Sequence, residues 1–293
     1  MAKFNFWDFK QDLDDYFFEA ANIAMKALFF IKSLTGRYDY MKKNIELKDA
    51  LKGKRAFLVA NGPSIKGQNL KLLKNEVTFF VNRSFLHEDY EYIKPTFHIF
   101  IDQKLATGVW GIDMLDKVKQ INPDVTFLLN SKWYFLDKFQ KYKNDPSYKI
   151  YWLDTKLFTT PFHKNRKINL SKITYGGAVT GVAFVTAIYM GLRNFYFLGQ
   201  DGNGLCYELI GKDTHFYGVN KEDKDRDIRE MYKALYSMST SLKFWTYFSD
   251  YCRDIEFNVY NCTRGGTFNM FKRVDYEDVI DAKYSEKISI NNE

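Results

Sequence analysis

The chain has 293 residues, of which 46% are hydrophobic, 18% aromatic and 27% charged. This content is enough for a large core and excludes disorder over most of the length. The formal charge of +7 comes from 43 Lys and Arg against 36 Asp and Glu, spread along the chain without a run of five or more basic residues. Such a diffuse charge favours an acidic small ligand or a membrane surface as partner, and disfavours nucleic acid.

The cysteines and the amino terminus bear on the cellular compartment. Cys206, Cys252 and Cys262 are odd in number and lack CxxC spacing, so we predict neither a disulfide framework nor a structural zinc site. Acidic residues precede the most apolar amino-terminal stretch, which argues against a signal peptide. That stretch, residues 20–31, is shorter than the roughly 20 apolar residues of a spanning helix. We expect a cytoplasmic protein, with peripheral attachment at the inner face of the membrane left open.

Residues 4–34 carry apolar side chains at three- and four-residue steps, a spacing typical of an amphipathic helix. We interpret residues 1–50 as an amphipathic helical extension. Its apolar stripe has two interpretations. It packs on the domain or on a second subunit of a homo-oligomer, or it attaches to a membrane surface through its aromatic residues and neighbouring lysines.

From residue 54 onward, short apolar runs alternate with helical patterns, which predicts parallel βαβ units. We expect an α/β, Rossmann-like catalytic domain over residues 51–281, with about seven mostly parallel strands flanked by helices, and a polar tail over 282–293. The predicted strands are Arg55–Ala60, Val77–Val81, Thr96–Ile101, Val125–Leu129, Lys149–Leu153, Phe195–Leu198 and Ile255–Tyr260.

A short polar side chain follows nearly every predicted strand. In an open α/β sheet, ligands bind outside the carboxyl ends of the strands, where the strand order reverses. Asn and Asp are also common turn formers and helix caps, so no single position is decisive. As a set they predict a polar crevice lined by Asn61, Asn82, Asp102, Asn130, Asp154, Asp201 and Asn261.

The first strand runs directly into a tight turn formed by Asn61, Gly62, Pro63 and Ser64. Gly62 lacks the Cβ that would keep a ligand from the backbone, and Ser64 with the amides that follow can donate to an anion. This predicts a phosphate or nucleotide turn, although an ordinary turn fits the spacing equally well. The segment has neither a Walker sequence nor GxGxxG spacing.

A second glycine-rich segment, residues 174–181, leads into an apolar helix. Gly176 and Gly177 free backbone N–H groups to face an anion, the helix dipole adds partial positive charge, and Thr180 adds a hydroxyl. The alternative is that these glycines only permit close packing of the helix on the sheet.

A third cluster follows the sixth strand and contains Gln200, Asp201, His215 and Tyr217. Asp201 at a strand end can hold a hydroxyl or a metal, and His215 in a polar loop can act as a general base, unless its role is structural. Of the other histidines, we expect His98 in the core and His87 and His163 at the surface.

The last cluster follows the final strand. Arg264 there can pair with a phosphate or a carboxylate, and Asn261 is a further ligand contact in this interpretation. An ordinary turn explains the segment equally well.

The four clusters together, in this order, resemble the MptE-like family, named after archaeal 6-hydroxymethylpterin diphosphokinases. The resemblance covers roughly residues 54–270. The NGPS turn with Asn82 is also similar to bacterial sialyltransferases that use CMP-activated sialic acid. That similarity implies nucleotide binding by Asn61, Gly62, Ser64 and Asn82.

The chain departs from the sialyltransferases at two catalytic positions. Val219 stands where their catalytic histidine falls, and their arginine before the glycine-rich helix has no counterpart here. Their mechanism therefore does not transfer intact, and His215 becomes the substitute base.

Three functions remain open. The first is a glycosyltransferase of surface-polysaccharide or glycoconjugate biosynthesis that passes a sugar, CMP-activated in the favoured case, to a glycan or glycolipid acceptor without a metal or other cofactor. Its catalytic residues would be His215 and Asp201, and its nucleotide-binding residues would include Asp102, Gln200 and the two glycine-rich segments. The second is a Mg²⁺-dependent 6-hydroxymethylpterin diphosphokinase, with Asp102 and Asp201 near the metal. The third is a non-catalytic nucleotide-binding module.

Overall fold

The structure is a computed structural model that describes residues 5–220 and 227–280. Its centre is an eight-stranded sheet in the order β5-β4-β3-β2-β1-β6-β7-β8, in which all neighbouring strands run parallel. The predicted α/β, Rossmann-like fold is confirmed. The strands are β1 Arg55–Val59, β2 Val77–Val81, β3 Phe97–Phe100, β4 Thr126–Asn130, β5 Lys149–Leu153, β6 Asn194–Leu198, β7 Asn258–Asn261 and β8 Lys272–Arg273.

Seven of these strands match predicted runs, and the eighth is a two-residue edge strand that adds to them. β7 begins later than predicted because the preceding helix continues to Asp254 and Ile255 caps it. The predicted polar tail, residues 282–293, lies outside the described residues.

The described residues contain nine α-helices around the sheet. They are α1 Phe6–Ser33, α2 Tyr90–Ile93, α3 Gln103–Thr107, α4 Met114–Ile121, α5 Gln140–Asn144, α6 Val179–Tyr189, α7 Gly204–Leu209, α8 Ile228–Asp254 and α9 Tyr276–Ile280. Short 3₁₀ segments connect them at Asp39–Leu47, Pro63–Gly67, Leu70–Leu73, Asn82–Leu86, Ser131–Trp133 and Asp137–Phe139.

The sheet is covered on both faces, which explains its nearly continuous apolar strands. Along β2 every residue is buried, and successive side chains alternate between two cores. Phe79 belongs to the core that contains α6 and the buried half of α8, whereas Phe80 belongs to the core with α2 and α4. α6 is buried along nearly its whole length, as expected for an apolar helix laid against a parallel sheet.

The amino-terminal helix α1 packs through one side only. Asn22 is buried there, donating to the backbone carbonyl of Phe158 and accepting from its N–H at 2.9 and 2.8 Å. Glu19 pairs with Arg166 at 3.1 Å, and Asp15 pairs with Lys243 of α8. Within residues 5–220 and 227–280, no helix has the length and apolar character needed to cross a membrane.

The strand order reverses between β1 and β6. β1 pairs with β2 on one side and with β6 on the other, so that Val59 lies beside Leu198 at their carboxyl ends. The connections that leave these two strands diverge, and a crevice forms between them. The Asn61–Ser64 turn and the segment Gly199–Asp201 emerge there.

Candidate functional site

The turn after β1 and the loop after β6 are hydrogen-bonded to each other. Gly62 N–H donates to the carbonyl of Gly199 at 2.9 Å, and Ser64 Oγ donates to Asp201 Oδ2 at 3.0 Å. A Cβ on Gly62 would lie 1.5 Å from Asp201 Oδ2, so only glycine permits this approach. Pro63 follows as the first residue of a 3₁₀ turn, where its missing N–H costs no hydrogen bond.

Asp201 is enclosed beneath the crevice and is only 6% exposed. Burial raises the pKa of its carboxyl group, while hydrogen bonds from Ser64 oppose the rise. Its backbone carbonyl accepts from Thr267 N–H at 2.7 Å, and the absent Cβ of Gly266 leaves room for its backbone. Asp201 thus joins the β1 turn to the loop that follows β7.

Asn61 and Asn82, at the ends of neighbouring strands, each hold a buried side-chain oxygen that lacks a hydrogen-bond partner among the described residues. Asn61 Nδ2 donates to the carbonyl of Val81 at 3.2 Å, which places this side chain across the end of β2. Asn82 has a φ of +48°, in the left-handed region that few residues other than glycine and asparagine adopt. An unsatisfied buried acceptor costs about 1–3 kcal/mol, and a ligand that donates a hydrogen bond recovers it.

His98 fixes the backbone of Asn82 from below. Its Nε2 donates to the carbonyl of Asn82 at 2.8 Å, and therefore Tyr90 Oη donates to Nδ1 at 2.6 Å. Full burial lowers the pKa of His98 from its ordinary 6.5 to about 3. The expectation of a core histidine is confirmed, and this neutral ring supports Asn82 at the carboxyl end of β2.

We predict that His98 makes the protein acid-sensitive. Because its pKa is lower in the folded than in the unfolded state, the unfolded chain takes up the proton first as the pH falls below 6.5. Stability should therefore be lost progressively from pH 6.5 towards 3, by about 2 kcal/mol at pH 5. Urea unfolding at pH 7 and pH 5 measures this loss.

The matched variants are His98→Gln, which removes the buried titrating group, and His163→Gln, which replaces an exposed histidine. The first should lose less stability on acidification than the wild type, and the second should follow the wild type. Equal losses in all three proteins would contradict the prediction.

The loop that carries His215 lies directly on the Asn61 turn. Phe216 N–H donates to the carbonyl of Asn61 at 2.9 Å, and the phenyl ring of Phe216 is buried. A hydrogen bond of 2.9 Å joins Thr214 Oγ1 to His215 Nδ1, and the imidazole stacks on Tyr217 with 4.9 Å between ring centroids. Backbone hydrogen bonds between His215 and Gly218 close the turn.

A cleft of about 810 Å³ opens beside this loop. It brings together Asp102, Gln200 and His215 from the predicted set with residues of α7 and α8. One wall is formed by the side of α8 that carries Lys233, Ser237 and Ser241. The cleft therefore lies at the carboxyl ends of the strands, beside the switch point.

The two glycines before α6 pack against neighbouring side chains. A Cβ on Gly177 would lie 2.6 Å from the ring of Phe244 in α8, and one on Gly176 would lie 2.8 Å from Thr155. Thr180 is buried in the first turn of α6. Ala178, which precedes the first residue of α6, lines the cleft, so the amino terminus of this helix faces it.

The two predicted residues of the last cluster, Asn261 and Arg264, lie in different environments. Asn261 is fully buried, and its Nδ2 bonds to the carbonyl of Phe268 while its Oδ1 accepts from Thr263 N–H at 2.9 Å. Arg264 points to a separate cleft and bonds to the carbonyl of Gly67 and to Glu277, each at 2.9 Å. The structure therefore does not bring Arg264 together with His215.

Sequence reasoning misplaced one histidine and missed several cations. His87 is buried against Phe216, with 5.2 Å between ring centroids, so the expectation of a surface residue was wrong. Arg83 directly follows Asn82 and bonds to Asn220 Oδ1 at 2.8 Å, at the cleft. Lys104 lines the cleft two residues after Asp102. Their positions just past predicted strand ends were the available signal.

Comparison with solved structures gives similarities to sialyltransferases. The sialyltransferase CstII from Campylobacter jejuni in complex with cytidine-5'-monophosphate is 14% identical, with 76% of this chain and 85% of that chain covered and a TM-score of 0.43. The same enzyme in complex with CMP-3FNeuAc is 16% identical, with coverages of 75% and 86% and a TM-score of 0.43. A third structure, the sialyltransferase CST-II in complex with a trisaccharide acceptor and CMP, is 16% identical, with 75% of this chain and 86% of that chain covered and a TM-score of 0.40.

No curated protein matches the chain in sequence. A family does match: the one described as 6-hydroxymethylpterin diphosphokinase MptE-like, over residues 32–207. This range contains β1 to β6, the Asn61–Ser64 turn, Asn82 and the whole of α6. The chain belongs to the MptE-like family.

Proposed function

We propose that the protein is a glycosyltransferase that binds a nucleotide-activated sugar, of the CMP type, with its nucleoside at Asn61 and Asn82 and its phosphate and sugar in the neighbouring cleft. The observation that carries this proposal is the pair of unsatisfied buried oxygens of Asn61 and Asn82. Amide oxygens accept hydrogen bonds, and phosphate groups ionised at neutral pH have few to donate. A base amino group and ribose hydroxyls are donors, so these oxygens fit the nucleoside part of a ligand.

The phosphate of the donor would lie in the neighbouring cleft. The amino terminus of α6 faces the cleft at Ala178, and Lys104 lines the same space. Backbone N–H groups at a helix start and an ammonium group both stabilise an anion. In this arrangement Gly176 and Gly177 act indirectly, because they let α6 pack closely against Phe244 while its first turn stays at the cleft.

His215 is the proposed general base for the acceptor hydroxyl. As that oxygen forms a bond to the anomeric carbon, its proton passes to Nε2 of His215, and the bond from the anomeric carbon to the phosphate oxygen breaks with its electron pair on the nucleotide. The required tautomer has a proton on Nδ1, which the hydrogen bond to Thr214 permits. The Ser237 and Ser241 hydroxyls and Lys233 on the opposite wall suit a polyhydroxylated acceptor, a glycan or glycolipid.

The nucleotide site is tested by two asparagine variants. Asn61→Ala and Asn82→Ala should each weaken CMP binding by about 1–3 kcal/mol, a roughly 5- to 150-fold rise in Kd, because each removes a buried hydrogen-bond acceptor. Isothermal titration calorimetry measures the two affinities.

Asn130→Ala is the matched control. Asn130 also lies at the carboxyl end of a strand, as the last residue of β4, but there its Oδ1 caps a 3₁₀ turn by accepting from Lys132 N–H. Its replacement should leave the Kd for CMP unchanged. If all three variants bind CMP as the wild type does, the nucleoside lies elsewhere.

A diphosphokinase is the second candidate, favoured by the description of the family and by Asp102 in the cleft. Mg²⁺ is commonly held by one or two carboxylates together with substrate phosphates. Asp102 Oδ1 caps α3 by accepting from Lys104 N–H at 2.9 Å, and Asp201 is bonded to Ser64. Because Asp102 lines the cleft and Asp201 is buried, Asp102 is the carboxylate that would hold Mg²⁺ in a diphosphokinase.

Thermal-shift measurements distinguish the candidates. A ligand at 100 times its Kd stabilises the folded protein by roughly 2.7 kcal/mol, which is enough to measure as a shift in melting temperature. If the protein is the proposed glycosyltransferase, CMP or a CMP-sugar should raise the melting temperature more than ATP with Mg²⁺. The opposite order would favour the diphosphokinase. Stabilisation by CMP without turnover of CMP-sugars on any acceptor would favour a non-catalytic binding module.

A further inference from the structure

The outer side of α1 is an exposed apolar stripe. The helix is 28 residues long, roughly 42 Å at 1.5 Å per residue, and it contacts the domain only through the opposite side. Exposure is high along its whole length, with Tyr16 at 77%, Phe17 at 70% and Ile31 at 59%. Few soluble proteins leave so long an apolar surface without a partner.

The spacing of the stripe is that of a coiled coil. Phe6, Leu13, Ala20, Ala27 and Leu34 recur at intervals of seven residues, and Tyr16, Ile23 and Phe30 each follow three residues after one of them. All eight are exposed. This alternation of three- and four-residue steps is the heptad pattern by which one helix pairs with another.

The first half of α1 and the second half, taken together with residues 34–37, carry opposite net charges. Residues 6–20 contain five carboxylates and one lysine, a net charge of −4. Residues 21–37 contain Lys26, Lys32 and Arg37 and no acidic residue, a net charge of +3. A surface with this distribution is complementary to itself only when a second copy runs in the opposite direction.

We propose that the α1 stripe is a homodimer interface in which two copies of α1 pair antiparallel. A twofold axis near Ala20 places Leu13 opposite the partner's Ala27, so large side chains meet small ones. The same axis brings Asp12 close to the partner's Lys26, because both lie on the same edge of the stripe. The contact is isologous, as a closed twofold dimer requires, and each domain lies on the outer side of the pair.

The same charges argue against a membrane surface as the occupant. Helices that bind anionic lipid carry Lys and Arg along the polar face. The amino-terminal half of α1 instead carries Asp8, Asp12 and Asp14, all exposed, which an anionic surface would repel.

The mass of the full chain in solution tests the interface. Sedimentation equilibrium should give twice the monomer mass for the wild type. Leu13→Glu with Ala20→Glu should give the monomer, because it buries carboxylates in the stripe. Leu209→Glu is the matched control, since it replaces an exposed leucine outside α1 and should leave the dimer intact.

Charge reversal tests the antiparallel direction. Asp8→Lys with Asp12→Lys brings the net charge of residues 6–20 from −4 to 0, and Lys26→Glu with Lys32→Glu brings that of residues 21–37 from +3 to −1. Each variant alone loses the attraction between the two halves and should dimerise at least tenfold more weakly. An equimolar mixture of the two should regain the wild-type Kd by forming a heterodimer.

Three results would overturn the proposal. The first is a wild type that stays monomeric at micromolar concentration, and the second is a dimer that survives the Leu13 and Ala20 changes. The third is a monomer that sediments with phosphatidylglycerol vesicles and loses this property when the stripe is changed, which would assign the stripe to the membrane. A mixture of the charge variants that stays monomeric would contradict the antiparallel direction.

Discussion

Gly62→Ala is expected to lower the free energy of unfolding by on the order of 3 kcal/mol and to abolish nucleotide binding. The new Cβ would stand 1.5 Å from Asp201 Oδ2 and 2.4 Å from the carbonyl oxygen of Gly199. Neither atom has room to retreat, because Asp201 is enclosed by the loop that follows β7. The turn must then separate from the β6 loop, which breaks the hydrogen bonds of Gly62 and Ser64. Urea unfolding and CMP calorimetry measure the two losses.

Gly204→Ala is the control for Gly62→Ala. A Cβ at Gly204 has no neighbour within 4 Å among the described residues, and the residue begins helix α7. This variant should keep the stability of the wild type within about 0.5 kcal/mol. If Gly62→Ala behaves like the control, the close contact of the two loops is not needed for the fold or the site.

His215→Ala is expected to lower the rate of sugar transfer by roughly 10²–10⁴-fold while the Kd for CMP stays near that of the wild type. The imidazole lines the cleft, whereas the nucleoside is proposed to contact Asn61 and Asn82. Loss of a base therefore removes a proton acceptor and leaves the nucleotide contacts in place. Release of CMP from a CMP-sugar in the presence of a glycan acceptor measures turnover.

The melting temperature and the Kd identify the alternative role of His215. The ring stacks on Tyr217, and the loop bonds to Asn61, so a purely structural histidine would lose stability and CMP affinity together when replaced. His163→Ala, an exposed histidine outside the cleft, should change none of the three quantities. Wild-type turnover in His215→Ala would direct the search for the base to Asp102.

The sequence leaves the role of a glycine open, because a glycine that faces a ligand and a glycine that packs against a distant segment look the same in the sequence. Gly62 and Gly177 both precede a helical turn, and at both the sequence predicts a backbone that a ligand can approach. The space beside Gly62 is filled by Asp201 and the space beside Gly177 by Phe244, from segments more than 60 residues away. Local spacing contains no information about such distant neighbours.

The sequence by itself determined the strands, the parallel sheet and the polar residues at its carboxyl edge. These depend on local periodicity: an apolar run followed by Asn or Asp specifies a buried strand and its turn wherever it lies. Only the tertiary structure decided which strand ends meet. It set β1 beside β6, brought the His215 loop onto Asn61, enclosed Asp201 and directed Arg264 to another cleft. Those outcomes depend on the order of the strands and on contacts between distant segments. Both are set by the burial of apolar side chains in the two cores on either face of the sheet.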